Sequence, residues 1–459
     1  MTKVITYGTY DMLHRGHVRL LERAKALGDY LVVGVTSDDF DKSRGKINVK
    51  ESLAERVAGV RATGLADKII VEEYEGQKID DIRRYGIDIF TVGSDWQGRF
   101  DYLGEYCKVV YLPRTEGVSS TELRANDRSV KLGLFGAQEG RILSKYCAEC
   151  RYVNGLEVAG ICTPDQEVRA SHSNVEVFDA YDELLDASDA VYVISRPELH
   201  YAHVKTALER GKHALVELPL TLDPEQCREL YELARERKLI LMSAMKTAYS
   251  TAYNRLLLLL KGGRIGRVVS VDATCTSLRD VDPSKAEFQD VWNSLCAWGP
   301  TAMLPIFHIL GVDYKRAEIT SLFLDKSTKY DAFTKIDFLY DAATATIKVG
   351  RGVKSEGELI VSGTEGYLYV PAPWWKTDYF EIRYENPENN RRYFYQLDGE
   401  GIRYELVAFV KAIANGTEEL YYISEEVATA ISRTISAFYR GELNEIHALE
   451  PTEEKDEPR

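Results

Sequence analysis

A chain of 459 residues is long enough for about three folding units, each with a sizeable core. With 45% hydrophobic and 28% charged residues it is neither wholly disordered nor fibrous, and a formal charge of −14 argues against a general binder of nucleic acid or anionic membrane. The charge is uneven: residues 1–127 hold 19 Lys and Arg against 21 Asp and Glu, the remainder 39 against 51, so the first segment can gather positive charge around a polyanion.

The opening MTKVITYGTYD lacks an apolar signal segment, and no run approaches ~18 apolar residues. Seven cysteines without framework spacing point to a reducing cytoplasm. Cys147 and Cys150 form a CxxC with no second pair at metal-binding spacing; they read as one face of a helix, and no metal site is expected from protein ligands alone.

In chain order, KVITYG, YLVVGVTS, KIIVEE, IDIFTVGS and KVVYLP read as strands, with helical patterns HVRLLERAKALG and QKIDDIRRYG between them. Such alternation predicts βαβ units and a parallel sheet. A charged joint, NDRS, precedes a second strand-turn-helix start at VKLGLFGA and QEGRILSKYCAEC, which places a boundary near Asp127. The alternation then runs to about residue 246. Beyond it, longer aromatic and β-branched runs (VVSVDATCTSL, AEITSLFLD, KIDFLY, TATIKVGR, GELIVSG, GYLYVP) predict an open, mainly antiparallel sheet. Helices are expected at 250–262, 300–311, 403–415 and 424–440. The expected fold is therefore α/β: domains at 1–127, 128–246 and 247–441, the first two with parallel sheets, followed by an acidic tail at 442–459.

GTYDMLHRGH directly follows the first strand. His14 and His17 flank Gly16, where the chain turns into a helix whose N-terminal amides favour anions, and two imidazoles there can donate hydrogen bonds to a phosphate gaining charge. At the segment's end, RTEGVSST again runs into a helix: Arg114 offers a forked cation, and Ser119, Ser120 and Thr121 offer hydroxyls and helix-start amides. These motifs, with LLERAKALGDYLVVGVTSD and GSDWQGRFDYL, resemble the glycerol-3-phosphate cytidylyltransferase family of HxGH nucleotidyltransferases over residues 1–125.

The resemblance implies that CTP lies on Gly8, Thr9, Tyr10, Asp11, His14, Gly16 and His17, with Lys46 on its phosphates. Asp95, Trp96 and the segment from Arg114 through Thr115, Glu116, Gly117, Ser119, Ser120 and Thr121 complete the nucleotide site. Arg56 and Lys78 help hold the second substrate, and a family lysine on that side falls at Arg44. A phosphomonoester dianion can attack the α-phosphorus in line without a general base, so positioning and charge neutralisation dominate, with Mg²⁺ expected on the triphosphate.

After VKLGLF the turn reads GAQEGR. Gly133, Gly136 and Gly140 are present, but Gln138 occupies the middle position of a dinucleotide fingerprint. SRPELHYAHVKTALERGKHALVELPLTL, AMKTAYSTAYNRL, WGPTAMLPIFHILG, VSGTEGYLYV and YELVAFVKAIANG resemble the Gfo/Idh/MocA oxidoreductases across about 128–440. Those are NAD(P)-dependent enzymes with a Rossmann domain and an α/β domain that often builds oligomers. The resemblance implies that Gly133, Phe135, Gly136, Ala137, Thr163, Ser195, Pro197, His200 and Glu217 face an NAD(P) cofactor. The family's Glu-Lys-Pro reads Glu217-Leu218-Pro219, and its Asp and His four apart read Leu304 and His308. Thr163, 27 residues past Gly136, stands where the family's ribose-binding acid falls and, with Arg169, leaves room for a 2′-phosphate. Reduction still needs a proton donor; His308 is the candidate, with Lys246 or Tyr249 as substitutes, and His203 packs or lines the cleft.

Together these resemblances imply a bifunctional enzyme that makes a CDP-polyol such as CDP-glycerol for a teichoic-acid or capsule-like polymer. Two alternatives stand beside it: a redox-inactive Rossmann scaffold that oligomerises or regulates a cytidylyltransferase, and a reductase acting on the CDP-linked product. Expected partners are CTP, a polyol phosphate, NAD(P) and further copies of the chain in a dimer or tetramer, with no nucleic acid or membrane.

Overall fold

The computed structural model describes the chain except residues 39–48, 50, 75, 114–128, 137–139, 173–174, 279–291, 377–378, 396, 398, 417–421 and 448–459. Short β-branched runs bounded by Gly, Asp and Lys fold as the buried strands of a first sheet: β1 (Lys3–Gly8), β2 (Tyr30–Thr36), β3 (Lys68–Glu72), β4 (Ile89–Gly93) and β5 (Lys108–Leu112). They pair in parallel in the order β3-β2-β1-β4-β5. Helices α1 (Arg15–Lys25), α2 (Leu53–Ala62) and α3 (Gln77–Tyr85) connect them. Val4, Leu31, Val33, Leu21 and Val60 form a core on one side of the sheet, and Ile5, Val32, Phe90 and Ile82 on the other.

The chain divides into two compact units, Met1–Ser129 and the residues from Val130 onward. The second unit opens with another parallel sheet: β6 (Val130–Gly136), β7 (Leu156–Cys162), β8 (Ala190–Ile194), β9 (His213–Glu217) and β10 (Leu241–Ala244), ordered β10-β9-β8-β6-β7. Helices α4 (Gly140–Cys150), α5 (Gln166–Ser171), α6 (Tyr181–Ala187), α7 (Pro197–Glu209) and α8 (Pro224–Arg237) alternate with the strands. Cys147 and Cys150 are buried free thiols on α4, as the helical reading of CxxC expects.

Helices α9 (Lys246–Tyr249) and α10 (Thr251–Lys261) lead to β11 (Val268–Thr276), α11 (Ser294–Leu310), β12 (Arg316–Asp325), β13 (Tyr330–Leu339), β14 (Thr344–Gly350), β15 (Leu359–Gly363), β16 (Tyr367–Val370), β17 (Tyr379–Arg383) and β18 (Arg391–Phe394). Two long helices, α12 (Ile402–Asn415) and α13 (Glu425–Arg440), and the short β19 (Asn444–Ile446) complete the unit. The nine strands form one sheet, β18-β17-β16-β15-β11-β14-β13-β12-β19, antiparallel except at β11–β14 and β12–β19. Both of its edge strands are short and largely exposed.

Helix α11 covers the sheet at β11, β13 and β14, α13 packs on α8 and α11, and α12 packs on α4 and α9. The Rossmann-like half and the open sheet thus share helices rather than a linker. Helix α11 begins six residues before the expected 300, because Asn293 caps it by accepting from the Cys296 amide at 2.8 Å.

Candidate active sites

In the first unit, β1 delivers the chain to a strained turn. Tyr10 and Met12 take left-handed φ values of 56° and 49°, which non-glycine residues adopt at a cost of about 1–2 kcal/mol each. The surroundings hold the turn in place. Buried Asp11 accepts from the Glu51 amide at 3.0 Å, and the Glu51 carboxylate accepts from the Met12 amide at 2.9 Å. Arg56, fully buried at the start of α2, donates to the carbonyls of Thr9 (2.7 Å), Thr36 (2.8 Å) and Glu51 (3.1 Å) and pairs with Asp38. Arg56 thus braces the left-handed turn after β1. Gly8 sits under the Tyr10 ring, which a Cβ there would meet at 3.0 Å.

His14 caps α1: its Nδ1 accepts from the Gly16 amide at 3.0 Å. In the neutral ring the proton therefore resides on Nε2, which is a hydrogen-bond donor. The His17 ring stacks on His14 with centroids 4.0 Å apart, and Tyr10 stands edge-on to His17 at 5.5 Å. No acidic residue occupies the first turn of α1, so the helix start keeps its affinity for negative charge.

Lys78, on α3, is buried against Glu72, whose other oxygen accepts from Thr36 Oγ1 at 3.0 Å; the ammonium lies over the Tyr7 and Phe100 rings. Trp96 packs on Phe100, with the Arg99 guanidinium 5.6 Å from its ring. Arg44, Lys46, Arg114, Thr115, Glu116, Gly117, Ser119, Ser120, Thr121 and the Asp95 side chain lie outside the described residues, as does Ala137 of the second unit.

In the second unit the strand order reverses between β6 and β8, which creates a crevice at the carboxyl ends of the strands. Gly136, Thr163, Ser195, Glu217 and Lys246 all stand at that rim. Gly136 is fixed by packing: a Cβ would lie 1.8 Å from Ile194 Cγ2. At Gly133 a Cβ would meet Ser188 Oγ at 2.5 Å. Thr163 Oγ1 accepts from the Asp165 amide (3.2 Å) and its carbonyl accepts from Arg169 (3.2 Å), which also pairs with Asp179.

Phe135 packs on Tyr181 and edge-on to His203, whose Nδ1 lies 2.8 Å from Ser195 Oγ; burial lowers the pKa of His203. Pro197 opens α7. His200 is fully buried, with Nδ1 2.8 Å from the Pro219 carbonyl and Nε2 2.7 Å from the Ser195 carbonyl, tying the ends of β8 and β9 together. Two acceptors favour a doubly protonated ring, yet burial pulls its pKa down to about 4.

Glu217 accepts from Tyr192 OH at 2.5 Å; the Tyr192 ring stacks on Tyr146 at 4.1 Å, and Tyr146 OH donates to Glu405 at 2.5 Å. Two carboxyl groups are thus joined through two tyrosines beneath the rim. Burial pushes Glu405 up to about 8, against the hydrogen bond from Tyr146. Lys246 donates to Glu400 at 2.9 Å. His308, in the last turn of α11, lies 3.1 Å through Nδ1 from Tyr253 OH, and burial lowers its pKa to about 4. Tyr249 is buried, edge-on to Tyr422. Leu218 and Leu304 are buried. The rim therefore gathers Glu217 and Lys246, whereas His308 is held against α10.

Residues 5–126 match the family model described as cytidylyltransferase-like, and residues 130–245 match the oxidoreductase family with an NAD-binding Rossmann fold. The glycerol-3-phosphate cytidylyltransferase of Bacillus spizizenii is 47% identical over 130 residues, 28% of this chain and 100% of that protein; that of Bacillus subtilis is 48% identical over 124 residues, 27% of this chain and 95% of that protein. The chain belongs to the cytidylyltransferase family. The second unit has the fold of KijD10, a 3-ketoreductase from Actinomadura kijaniata solved with NADP, at a TM-score of 0.61 and 20% identity, covering 70% of this chain and 100% of that one. The protein is an enzyme, a cytidylyltransferase joined to a Gfo/Idh/MocA oxidoreductase domain.

Sequence reading missed Glu405, Tyr146, Tyr192 and the partners of Lys246. One signal was available: Ile402, Glu405, Leu406, Phe409 and Ala412 share a helical face, so Glu405 interrupts an apolar stripe. The lysine partners carry no such signal, because they converge only in three dimensions.

Proposed function

We propose that the first unit transfers CMP from CTP to a small polyol phosphate resembling glycerol phosphate, giving a CDP-polyol and pyrophosphate, and that the second unit makes the polyol phosphate by NAD(P)H-dependent reduction of a keto or aldo precursor. The supporting observation is the stacked His14–His17 pair at an anion-binding helix start, reached by a braced left-handed turn. The acceptor phosphate, already a dianion, attacks the α-phosphorus in line. His14 Nε2–H and the amides of α1 stabilise charge on the departing phosphates, and pyrophosphate leaves. Mg²⁺ would arrive on the triphosphate and, when bound, would neutralise its charge. In the second unit Gly136, Thr163, Ser195, Pro197 and Glu217 fit the crevice of a dinucleotide, which supplies a hydride when bound. The product feeds a surface polymer from the cytoplasm.

Pyrophosphate release from CTP and glycerol 3-phosphate should fall at least about a hundredfold in His14→Ala and in His17→Ala. Near-full activity in both would overturn the assignment. A second reading, a redox-inactive scaffold, is favoured by buried Leu218 and Leu304 where the family keeps a lysine and an aspartate. Loss of 340 nm absorbance with NADPH and a panel of triose and pentose phosphates excludes it; no oxidation and no thermal shift with either NADH or NADPH establishes it.

A further inference from the structure

Three lysines from three elements meet one carboxylate at the rim of the second unit. Glu400 accepts from Lys246 at the start of α9 (2.9 Å), from Lys145 on α4 (3.0 Å to each oxygen) and lies 3.0 Å from the ammonium of Lys376, which ends a short turn at Trp374–Lys376. Burial resists the charge on Glu400, yet these three hydrogen bonds hold its pKa well below the usual carboxylate range. Among the described residues, three ammonium groups on one carboxylate leave two positive charges uncompensated within the cluster. A structural ion pair needs none of that excess, and gathering like charges costs free energy. Burial also lowers the pKa of Lys246, against the pull of Glu400, so this lysine gains from a stronger anion.

The cluster stands beside the crevice. Ala244, two residues before Lys246, pairs with Glu217 across β9 and β10. Thr247 donates to the carbonyl of Trp375, whose half-buried ring lies 4.9 Å from that of Trp298 and forms an apolar wall next to Lys376. Glu400 has a left-handed φ of 53° between Gly399 (56°) and Gly401 (90°), so its carboxylate is presented by a turn rather than by a helix or strand.

We infer that Lys145, Lys246 and Lys376 bind the dianionic phosphate of the second unit's substrate, a phosphomonoester of a small carbonyl compound, and that Glu400 occupies the site until that phosphate displaces it. The inference rests on the reading of the second unit as a reductase. A phosphomonoester carries close to two negative charges at neutral pH, one more than the carboxylate it displaces, so it leaves one positive charge of the cluster uncompensated where Glu400 leaves two. The phosphate is then present before cytidylyl transfer: hydride from NAD(P)H and a proton turn the carbonyl into a hydroxyl, and the phosphate oxygen, unchanged by that reduction, is the nucleophile in the first unit. A CDP-linked substrate would bring the same total charge spread over a diphosphate diester, and the test separates the two.

The full chain is acetylated with trace acetic anhydride, and the modification of each lysine is read by mass spectrometry of its peptides. Methyl phosphate should slow acetylation of Lys145, Lys246 and Lys376 at least threefold, with sodium chloride at matched ionic strength leaving them unchanged. In Lys376→Gln the methyl phosphate concentration that protects Lys145 and Lys246 should rise about tenfold, the loss of one charge-assisted contact. In Glu400→Gln it should fall, because the internal competitor is gone. Protection no greater than with chloride, or protection by CDP-glycerol without methyl phosphate, overturns the inference. Protection by methyl phosphate with no NADPH oxidation on any carbonyl phosphate supports the anion site and removes the reductase reading instead; oxidation without protection does the reverse.

Discussion

Glu405 has no exposed surface, and one of its oxygens has no hydrogen-bond partner among the described residues. A glutamate in the unfolded chain ionises near 4.5, whereas burial keeps Glu405 protonated to about 8. Between those values the native state binds one proton more than the unfolded state, so stability falls as pH rises through the window, by an amount on the order of a few kcal/mol. Asp331, raised by burial to about 6, acts in the same direction over a narrower range. The melting temperature of the second unit should therefore fall from about pH 6.5 to pH 8, above the range in which buried His200 and His308, with pKa values lowered to about 4, act in the opposite direction. Glu405→Gln should flatten most of that slope, leaving the part due to Asp331; an unchanged slope in the variant would show that Glu405 is ionised in the native state. Residue-level legibility follows from how local each signal is. His14, Gly16 and His17 lie within four positions and declare themselves, whereas Lys145, Lys376 and Glu400 are joined only by the fold.

At the level of elements, Gly136 shows how a motif residue can serve packing. Its missing side chain lets the end of β6 lie against Ile194 of β8, with only 1.8 Å for an added Cβ. Gly136→Ala must push these strands apart at the crevice, at a cost of about 1–3 kcal/mol or more. Thermal unfolding should show the second unit melting several degrees lower, while CTP turnover at 25 °C stays at the parent level; equal melting would mean that β8 yields freely. The parallel sheets were readable because buried parallel strands are continuous apolar runs between turn residues. Strands β17, β18 and β19 escaped notice for the opposite reason: YFEIR and RRYF mix arginine and glutamate with aromatics, and NEI is too short to show a period.

For the whole molecule, two compact units with separate cores predict that the first unit folds and works without the second. The B. spizizenii relative matches over its entire length, and the cytidylyltransferase-like model matches residues 5–126, inside the first unit. Expressed alone, 1–129 should melt cooperatively and turn over CTP within about threefold of the full chain, as expected when each domain has its own core. A fragment that fails to fold would place part of its stability in the second unit. The compact units divide at Ser129, where a new strand-turn-helix start opens a fresh sheet.

The nine-stranded sheet also bears on how copies of the chain can associate. Its margins are β18, four residues with Arg391 and Arg392, and β19, three exposed residues that include Glu445. Arg392 is tied to Glu381 of the neighbouring strand, so charge stands along that border rather than a bare row of amides and carbonyls. An incoming strand would gain few backbone hydrogen bonds and would have to strip water from these ions. Growth of the sheet from one molecule into the next is thereby disfavoured, which protects a wide, open β-structure from templating fibrils in a crowded cell.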